Sequence, residues 1–396
     1  VHGHKLALAI AAVVALCSFD SRAQVLEEVV VVAQKRVQSV QEVPLTVSVV
    51  DGEALALFSI NNATDLARSV PGLTIMPAPQ GLSLPKIRGL GTGTGAENMD
   101  QSVGLFIDGV WTGKARDLQS ALYDLDRIEV IKGTQTSQLG KNTSLGAILV
   151  MSRRPEDESG GYVQADYDFE LGSSILAGAG NLATDFGNYR LAINLVDEEG
   201  FVDNQLVGGD DPAREQYSAR LAGSWELGDR GAIYASYSYD DREVTGMSFE
   251  VAADPLGWYT GVTGDTDVSL NNKRKTWTSY SSDGRDFDDQ ESHRALLELA
   301  YDIGDAMEFV SLSGYNEYDN TRYYDADFSA ATWLEQYKKS SFKQFSQEFR
   351  ISSTAFKDRL DYVAGVFYLD NNFENYSETG FLTNLDYIPT PEEGIY

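Results

Sequence analysis

The chain has 396 residues, 42% of them apolar, and its 60 acidic against 31 basic side chains give a formal charge of -29. The length allows two or more cores, and the apolar share argues against a disordered protein. So acidic a balance argues against nucleic acid as a partner, because phosphate neutralisation needs clustered Lys and Arg.

At the N-terminus, His4 and Lys5 precede an apolar run from Leu6 to Leu16, followed by Ser21-Arg22-Ala23 ahead of Gln24. This is the order of a secretory signal with a small-residue cleavage pattern, and residues 1–23 are assigned to it. The run is about half the roughly 20 residues that a spanning helix needs, which disfavours an anchor. Cys17, the single cysteine, falls inside this signal, so the mature chain forms no internal disulfide, and Leu16 just before it disfavours lipidation. His2 and His4 share the region and leave His293 alone in the mature chain, so no His-based metal site and no cofactor are expected. Opening on Val1 rather than Met suggests an unusual start or an incomplete reading. No later segment has an apolar run near spanning length, so later membrane insertion must use strands.

Residues 24–40 carry Glu27, Glu28, Val29, Val30, Val31, Val32 and Ala33, then Gln34-Lys35-Arg36. A β-prone peptide with no alternation and no cap suits addition to the edge of another protein's sheet; it equally suits an ordinary buried first strand. Residues 41–155 then mix short apolar strands, glycine turns and helical stretches. Asn62 to Val70 offers cap residues ahead of a short helix ended by Pro71-Gly72, and strands are expected over 103–108, 127–131 and 147–151, the pattern of a compact α+β domain.

From residue 156 to 396 the pattern changes to long alternating strands. In 162–170, Val163, Ala165, Tyr167 and Phe169 oppose Gln164, Asp166, Asp168 and Glu170. The same division recurs in 188–197, where Tyr189, Leu191, Ile193 and Leu195 oppose Asn188, Arg190 and Asn194, and in 218–227, where Leu221 and Trp225 oppose Arg220 and Glu226. Further strands are expected over 231–241, 294–302, 308–317, 345–352 and 362–370. About ten residues each, with a tight turn at Gly228-Asp229-Arg230-Gly231 and a long acidic loop over 242–290, they read as an antiparallel transmembrane β-barrel, apolar side to lipid and polar side to the lumen. A soluble β-sandwich is the rival.

Taken together, the chain resembles the TonB-dependent outer-membrane receptors from the signal through the plug into the barrel. Residues 27–36 look like the TonB box and the basic residues after it. Ser69-Val70-Pro71-Gly72-Leu73, Ile87-Arg88-Gly89-Leu90-Gly91 and 103–110 with Asp108 and Gly109 match the family's plug in order and spacing. So do Arg127-Ile128-Glu129-Val130-Ile131-Lys132-Gly133, then Gly140-Lys141-Asn142-Thr143-Ser144-Leu145-Gly146, then Arg153-Arg154-Pro155. Two departures stand out: Thr134 lies where the family commonly has Pro, and Thr136 where it commonly has Gly, so Thr136 is strained if that position needs positive φ. In the barrel, 345–352 resembles a recurrent family strand with Glu348 and Arg350 on one face. The resemblance suggests a lumenal Glu348 paired with a plug cation, Arg88 or Lys132; the residues alone equally allow Arg350 or a neighbouring strand.

The resemblance implies a Gram-negative outer-membrane location and energised uptake of a scarce solute. Its partners would be the TonB periplasmic domain by strand addition, outer-membrane lipid, the β-barrel assembly machinery and a small-molecule or metal-chelate ligand. Iron-siderophore complexes are the family's most common cargo; carbohydrate, haem and vitamins are alternatives. Residues 315–324, read as an acidic, aromatic loop, suit either sugar stacking or the lipid interface. No enzyme is expected. Gly91-Thr92-Gly93-Thr94-Gly95 lacks dinucleotide spacing, Gly133 and Gly140-Lys141 have the wrong gap for a phosphate loop, and no Gly-x-Ser-x-Gly elbow occurs. A passive porin would lack the TonB box and plug. About nine strands fall short of the 22 of a plugged barrel, so the sequence reads as a truncated receptor, with a non-transporting fragment as the alternative.

Overall fold

The computed structural model describes residues 30–381 apart from 32–34, 36–37, 40, 42, 59, 79–81, 94–98, 115, 171, 275–285, 305, 329–333 and 356–359. A two-residue hairpin opens it, β1 (Val30–Val31) against β2 (Gln38–Ser39). Then β3 (Thr46–Asp51) runs into helix α1 (Gly52–Leu57), whose N-cap Asp51 accepts from the amide of Ala54 at 2.7 Å. Asn62 caps α2 (Ala63–Ser69) by accepting from the amide of Asp65 at 2.9 Å, as the sequence predicts, and Pro71-Gly72 follows at the turn.

A three-stranded sheet of β4 (Leu73–Ala78), β5 (Leu82–Ile87) and β6 (Leu90–Gly91) comes next, then β7 (Val103–Ile107), β8 (Val110–Trp111), α3 (Asp117–Ser120), β9 (Leu125–Lys132) and β10 (Gly146–Ser152). The main sheet of this domain has the order β3-β9-β10-β7-β8, with β10 parallel to β7 and the other pairs antiparallel. Its strands are buried on both faces: α1, α2 and α3 cover Ile128, Val130, Ile148 and Leu105 on one side, while Ile131, Ala147 and Leu149 pack with Phe106 and Trp111 on the other. The β7–β8 turn is Asp108-Gly109 with φ of 50° and 83°, the mirror-type turn whose twist matches two paired strands.

The second unit is one nine-stranded antiparallel sheet. Its strands in chain order are β11 (Gly160–Tyr167), β12 (Ser174–Thr184), β13 (Gly187–Glu198), β16 (Ala213–Glu226), β17 (Gly231–Thr245), β19 (Phe287–Ile303), β20 (Met307–Asp325), β21 (Leu334–Ala355) and β22 (Leu360–Phe381). A small sheet of β14 (Val202–Asn204), β15 (Asp210–Asp211) and β18 (Lys273–Arg274), and a helix α4 (Trp258–Thr263), sit in its long loops. Each long strand pairs with the next long strand, and β11 and β22 end the order without meeting. Connections at one rim are short (185–186, 227–230, 304–306) and those at the other long (199–212, 246–286), the asymmetry of outer-membrane barrels. Among the described residues no helix is long and apolar enough to cross a membrane.

Three expectations need correction. The strands are not all near ten residues: they lengthen from 8 to 22 along the chain, long enough to project beyond a bilayer that ten residues span. The strand over 174–184 has no counterpart among the alternating segments, because five of its eleven residues are Ala or Gly, which blur the apolar-polar alternation. The loop expected over 315–324 is part of β20, where of its four tyrosines only Tyr315 is exposed, so sugar stacking there has no loop to rest on.

Alternation decides which side chains leave the protein. In β13, Leu191, Ile193 and Leu195 face outward and are exposed, while Arg190, Ala192 and Asn194 face inward and are buried. Ile193→Arg on the outward face is expected to cost about 2–4 kcal/mol in a bilayer, against about 0–1 for Asp197→Arg near the strand's outer end. Denaturant titration of protein folded into lipid vesicles measures the difference.

Candidate functional site

The α+β unit sits against the inward face of the sheet, and charge holds it there. Asp124, in the turn before β9, has φ of 48°, a conformation that non-glycine residues rarely adopt. It lies between two barrel guanidiniums: Arg190 of β13 donates from Nε and Nη2 at 2.9 and 2.6 Å, and Arg220 of β16 donates to the carboxylate at 2.7 Å and to the backbone carbonyl at 2.8 Å. Tyr162 of β11 adds its hydroxyl at 3.3 Å. Burial pushes the Asp124 carboxyl up, but the two guanidiniums outweigh it and hold the group below the ordinary range.

A second clamp forms around α3. Arg116 lies 3.4 Å from Asp288 of β19, which also meets Arg242 of β17 at 3.3 Å. The neighbouring Asp117 accepts from Gln290 at 3.3 Å and Asn316 at 3.2 Å, and burial raises its carboxyl despite the nearby Arg294 charge. Gln344 donates to the carbonyl of Trp111 at 2.6 Å. Gly113, with φ of 80°, lies against the ring of Phe342 so closely that a Cβ would stand 2.2 Å from it. Arg154 closes the set with a bidentate contact to Glu298 at 2.8 and 3.0 Å.

Between this plug and the wall, at the long-loop rim, a cavity of about 940 Å³ is bounded by α2 and Gln119 on one side and by β11, β12, β13, β16 and β17 on the other. A second cavity of about 230 Å³ lies further in, and Asn61, Asp166 and Ile175 line both. Among the described residues no group of His, Cys, Asp and Glu is placed to hold a metal ion.

Of the TonB box, Val30 and Val31 pair with Ser39 and Gln38, while Glu27, Glu28, Val29, Val32 and Ala33 lie outside the described residues, as does the signal over 1–23. The partner of Glu348 is neither Arg88 nor Lys132. Its cation is Lys35 at 2.6 Å, just after the box, with Arg350 on its own strand at 3.4 Å. Lys132 instead donates to Ser48 at 2.8 Å; burial and then the charge of Arg88 lower its pKa, so the two expected partners stand near each other as like charges. Thr134 and Thr136 both avoid positive φ, so the expected strain is absent, and Thr134 donates to the carbonyl of Ser144 at 2.8 Å.

The plug motif residues turn out to be backbone devices. Gly89, Asp108, Gly109, Gly133, Gly140, Asn142 and Gly146 all take positive φ. At Gly146 a Cβ would stand 2.2 Å from the carbonyl oxygen of Ile131. Asp108 also accepts from the amide of Ser152 at 2.7 Å, and Glu129 is buried against Arg127 at 2.9 Å. The clamp residues Asp124, Arg116, Asp117 and Asp288 carry no signal in the sequence beyond polar residues placed on an inward strand face or before a strand.

A mixed domain packed on the inner face of a long-stranded antiparallel sheet is the architecture of a plugged β-barrel. Residues 39–147 match the family model of the TonB-dependent Receptor Plug Domain. The chain is 22% identical over 265 residues to the Catecholate siderophore receptor Fiu of Escherichia coli (strain K12), covering 66% of this chain and 32% of that protein. It is 28% identical over 149 residues, 35% of this chain and 22% of that protein, to the Iron-regulated outer membrane virulence protein of Vibrio cholerae. Among solved structures, the ferric yersiniabactin uptake receptor FyuA from Yersinia pestis superposes with a TM-score of 0.70 at 17% identity, over 85% of this chain and 50% of that one. The ferripyoverdine receptor of Pseudomonas aeruginosa superposes with a TM-score of 0.68 at 16% identity, over 92% and 49%. Residues 39–147 thus carry a TonB-dependent receptor plug domain, and the chain, similar to such receptors over most of its length, spans about a third of the curated relative Fiu and about half of the solved receptors.

Asp124→Asn leaves two buried guanidiniums without their counter-charge and is expected to weaken plug docking by about 3–5 kcal/mol. Because the folded carboxyl titrates lower than the unfolded one, this clamp acts fully above about pH 3.9 and is lost as pH falls through the lower folded value. Hydrogen exchange of Leu125–Lys132, corrected for intrinsic rate, should rise on acidification in the wild type, and in Asp124→Asn already be raised at neutral pH.

Proposed function

We propose that the chain forms the plug and first barrel strands of a receptor that imports a scarce solute, an iron-siderophore complex by preference, across the outer membrane using energy delivered by TonB. The observation that carries this reading is the plug itself, clamped by buried ion pairs beneath a solute-sized cavity open to the long-loop rim. A passive pore has no use for such a plug. The relatives named above, a catecholate siderophore receptor and an iron-regulated outer membrane virulence protein, point the same way.

Residues 1–23 serve as the export signal, 24–40 as TonB box and periplasmic linker, 41–155 as the plug, and 156–396 as barrel. The barrel assembly machinery inserts the strands, and TonB takes residues 27–33 as an added strand. Solute binding at the outer cavity and traction on the box then shift the plug between docked and displaced states. The chain performs no chemical step on its cargo and acts as a transporter, not an enzyme.

Val30 and Val31 pair with Ser39 and Gln38, and a TonB strand adds to this same segment. Val31→Pro removes an amide from it and fixes the backbone against strand addition. In cells carrying the receptor, uptake of a radio-iron siderophore should fall to the level of a strain without TonB, while binding at the surface stays within about two-fold. Uptake that survives the substitution refutes the strand-addition reading.

A further inference from the structure

Three arginines reach the outer cavity, and each is already matched by a carboxylate. Arg68 pairs with Asp65 at 2.8 Å, Arg214 holds Glu198 bidentately at 2.9 Å, and Arg242 faces Asp288 at 3.3 Å. Asp166 and Glu199 line the same space, and among the described residues neither has an ion-pair partner; Asp166 accepts instead from Gln164 at 2.7 Å. Asp166 also lines the inner cavity, so the carboxylate lies where the two spaces meet.

The rim of the cavity is aromatic. Phe201 and Phe249 line it, joined at the edge strand by Tyr167 and Phe169, an edge-to-face pair 4.8 Å apart on the outward side of β11 and its turn, and both Phe169 and Phe201 are exposed. Exposed rings beside carboxylates attract cations through the ring face as well as through charge. The loops above share this sign: the described residues of segments 168–173, 199–212, 246–286 and 326–328 include twelve acidic and two basic ones. A cleft walled by one sign of charge concentrates ligands of the opposite sign by roughly 10- to 1,000-fold and repels like charge. Among the cationic side chains of the upper lumen, Arg116, Arg242 and Arg322 are buried between plug and wall, with Asp288 set between Arg116 and Arg242, while Lys338 near Arg116 and Arg322 is half-buried on the β21 side, away from this cavity.

We infer that the cavity between α2 and the β11–β17 wall selects a cationic or neutral solute and disfavours polyanionic chelates such as ferric tris-catecholates. The inference rests on the reading of this cavity as the solute's entry, and it departs from the cargo in the name of the relative Fiu.

The test is equilibrium binding to the purified receptor in detergent at low and high salt. One series uses a single ferric tris-hydroxamate whose terminal amine is free, acetylated or succinylated, with a ferric tris-catecholate as the trianion. A metal-free series uses a trisaccharide in amino, N-acetyl and sulfated forms. The expected order is cation, then neutral, then anion, with at least a ten-fold spread at low salt that narrows at high salt and in the double variant Asp166→Asn, Glu199→Gln. If the metal-free series alone binds, cation first, the ferric-chelate reading fails and the charge selection stands. Equal or tighter binding of the anionic members in either series, a spread that ignores salt and the double variant, or no binding in both series overturns the inference.

Discussion

One carboxylate holds the two units of this protein in register. Asp124 belongs to the plug, yet its nearest charges are Arg190 and Arg220 on two barrel strands, and it is buried with them. Two guanidiniums left inward on a sheet with no plug would be buried cations without a counter-charge, and the plug's carboxylate without them would be a buried anion; each is costly alone. The plug and the barrel wall therefore complete each other electrostatically, and the left-handed backbone at Asp124 is the local strain that aims the carboxylate at both partners.

The second clamp has different chemistry. Around α3, Asp117 is met by the amides of Gln290 and Asn316, Arg116 meets Asp288 only at 3.4 Å, and Gly113 gives way to the Phe342 ring. Neutral donors and longer charge contacts hold less tightly than a carboxylate gripped by two guanidiniums. The plug is thus held by a doubly gripped carboxylate along β11–β16 and by amides, longer charge contacts and the Arg154–Glu298 pair along β17–β21, and the two cavities lie between the helices and the β11–β17 wall. Below them, Lys35 ties the segment ahead of the plug to Glu348 on the opposite wall.

Much of this was legible in the order of residues. Inward and outward faces could be assigned wherever large apolar side chains alternated with polar ones, as in β13 and β16, because a pleated strand sends successive side chains to opposite faces. Where Ala and Gly replaced them, in β12, the signal vanished although the strand did not. The motif positions of the plug were equally visible, but their role was not: seven are left-handed backbone positions, from Gly89 to Gly146, and only the folded chain displays that.

By itself the sequence determined the class of protein, the presence of the plug, the lipid-facing stripes and the acidic character of the outer loops, since composition, periodicity and ordered motifs are local properties of the chain. Tertiary structure alone decided which charges meet. Glu348 finds Lys35 rather than Arg88 or Lys132, and Asp124 finds Arg190 and Arg220 across separations of 66 and 96 residues. The physical reason is that an ion pair depends on distances of a few ångströms between residues far apart in the chain, and no periodicity encodes such distances.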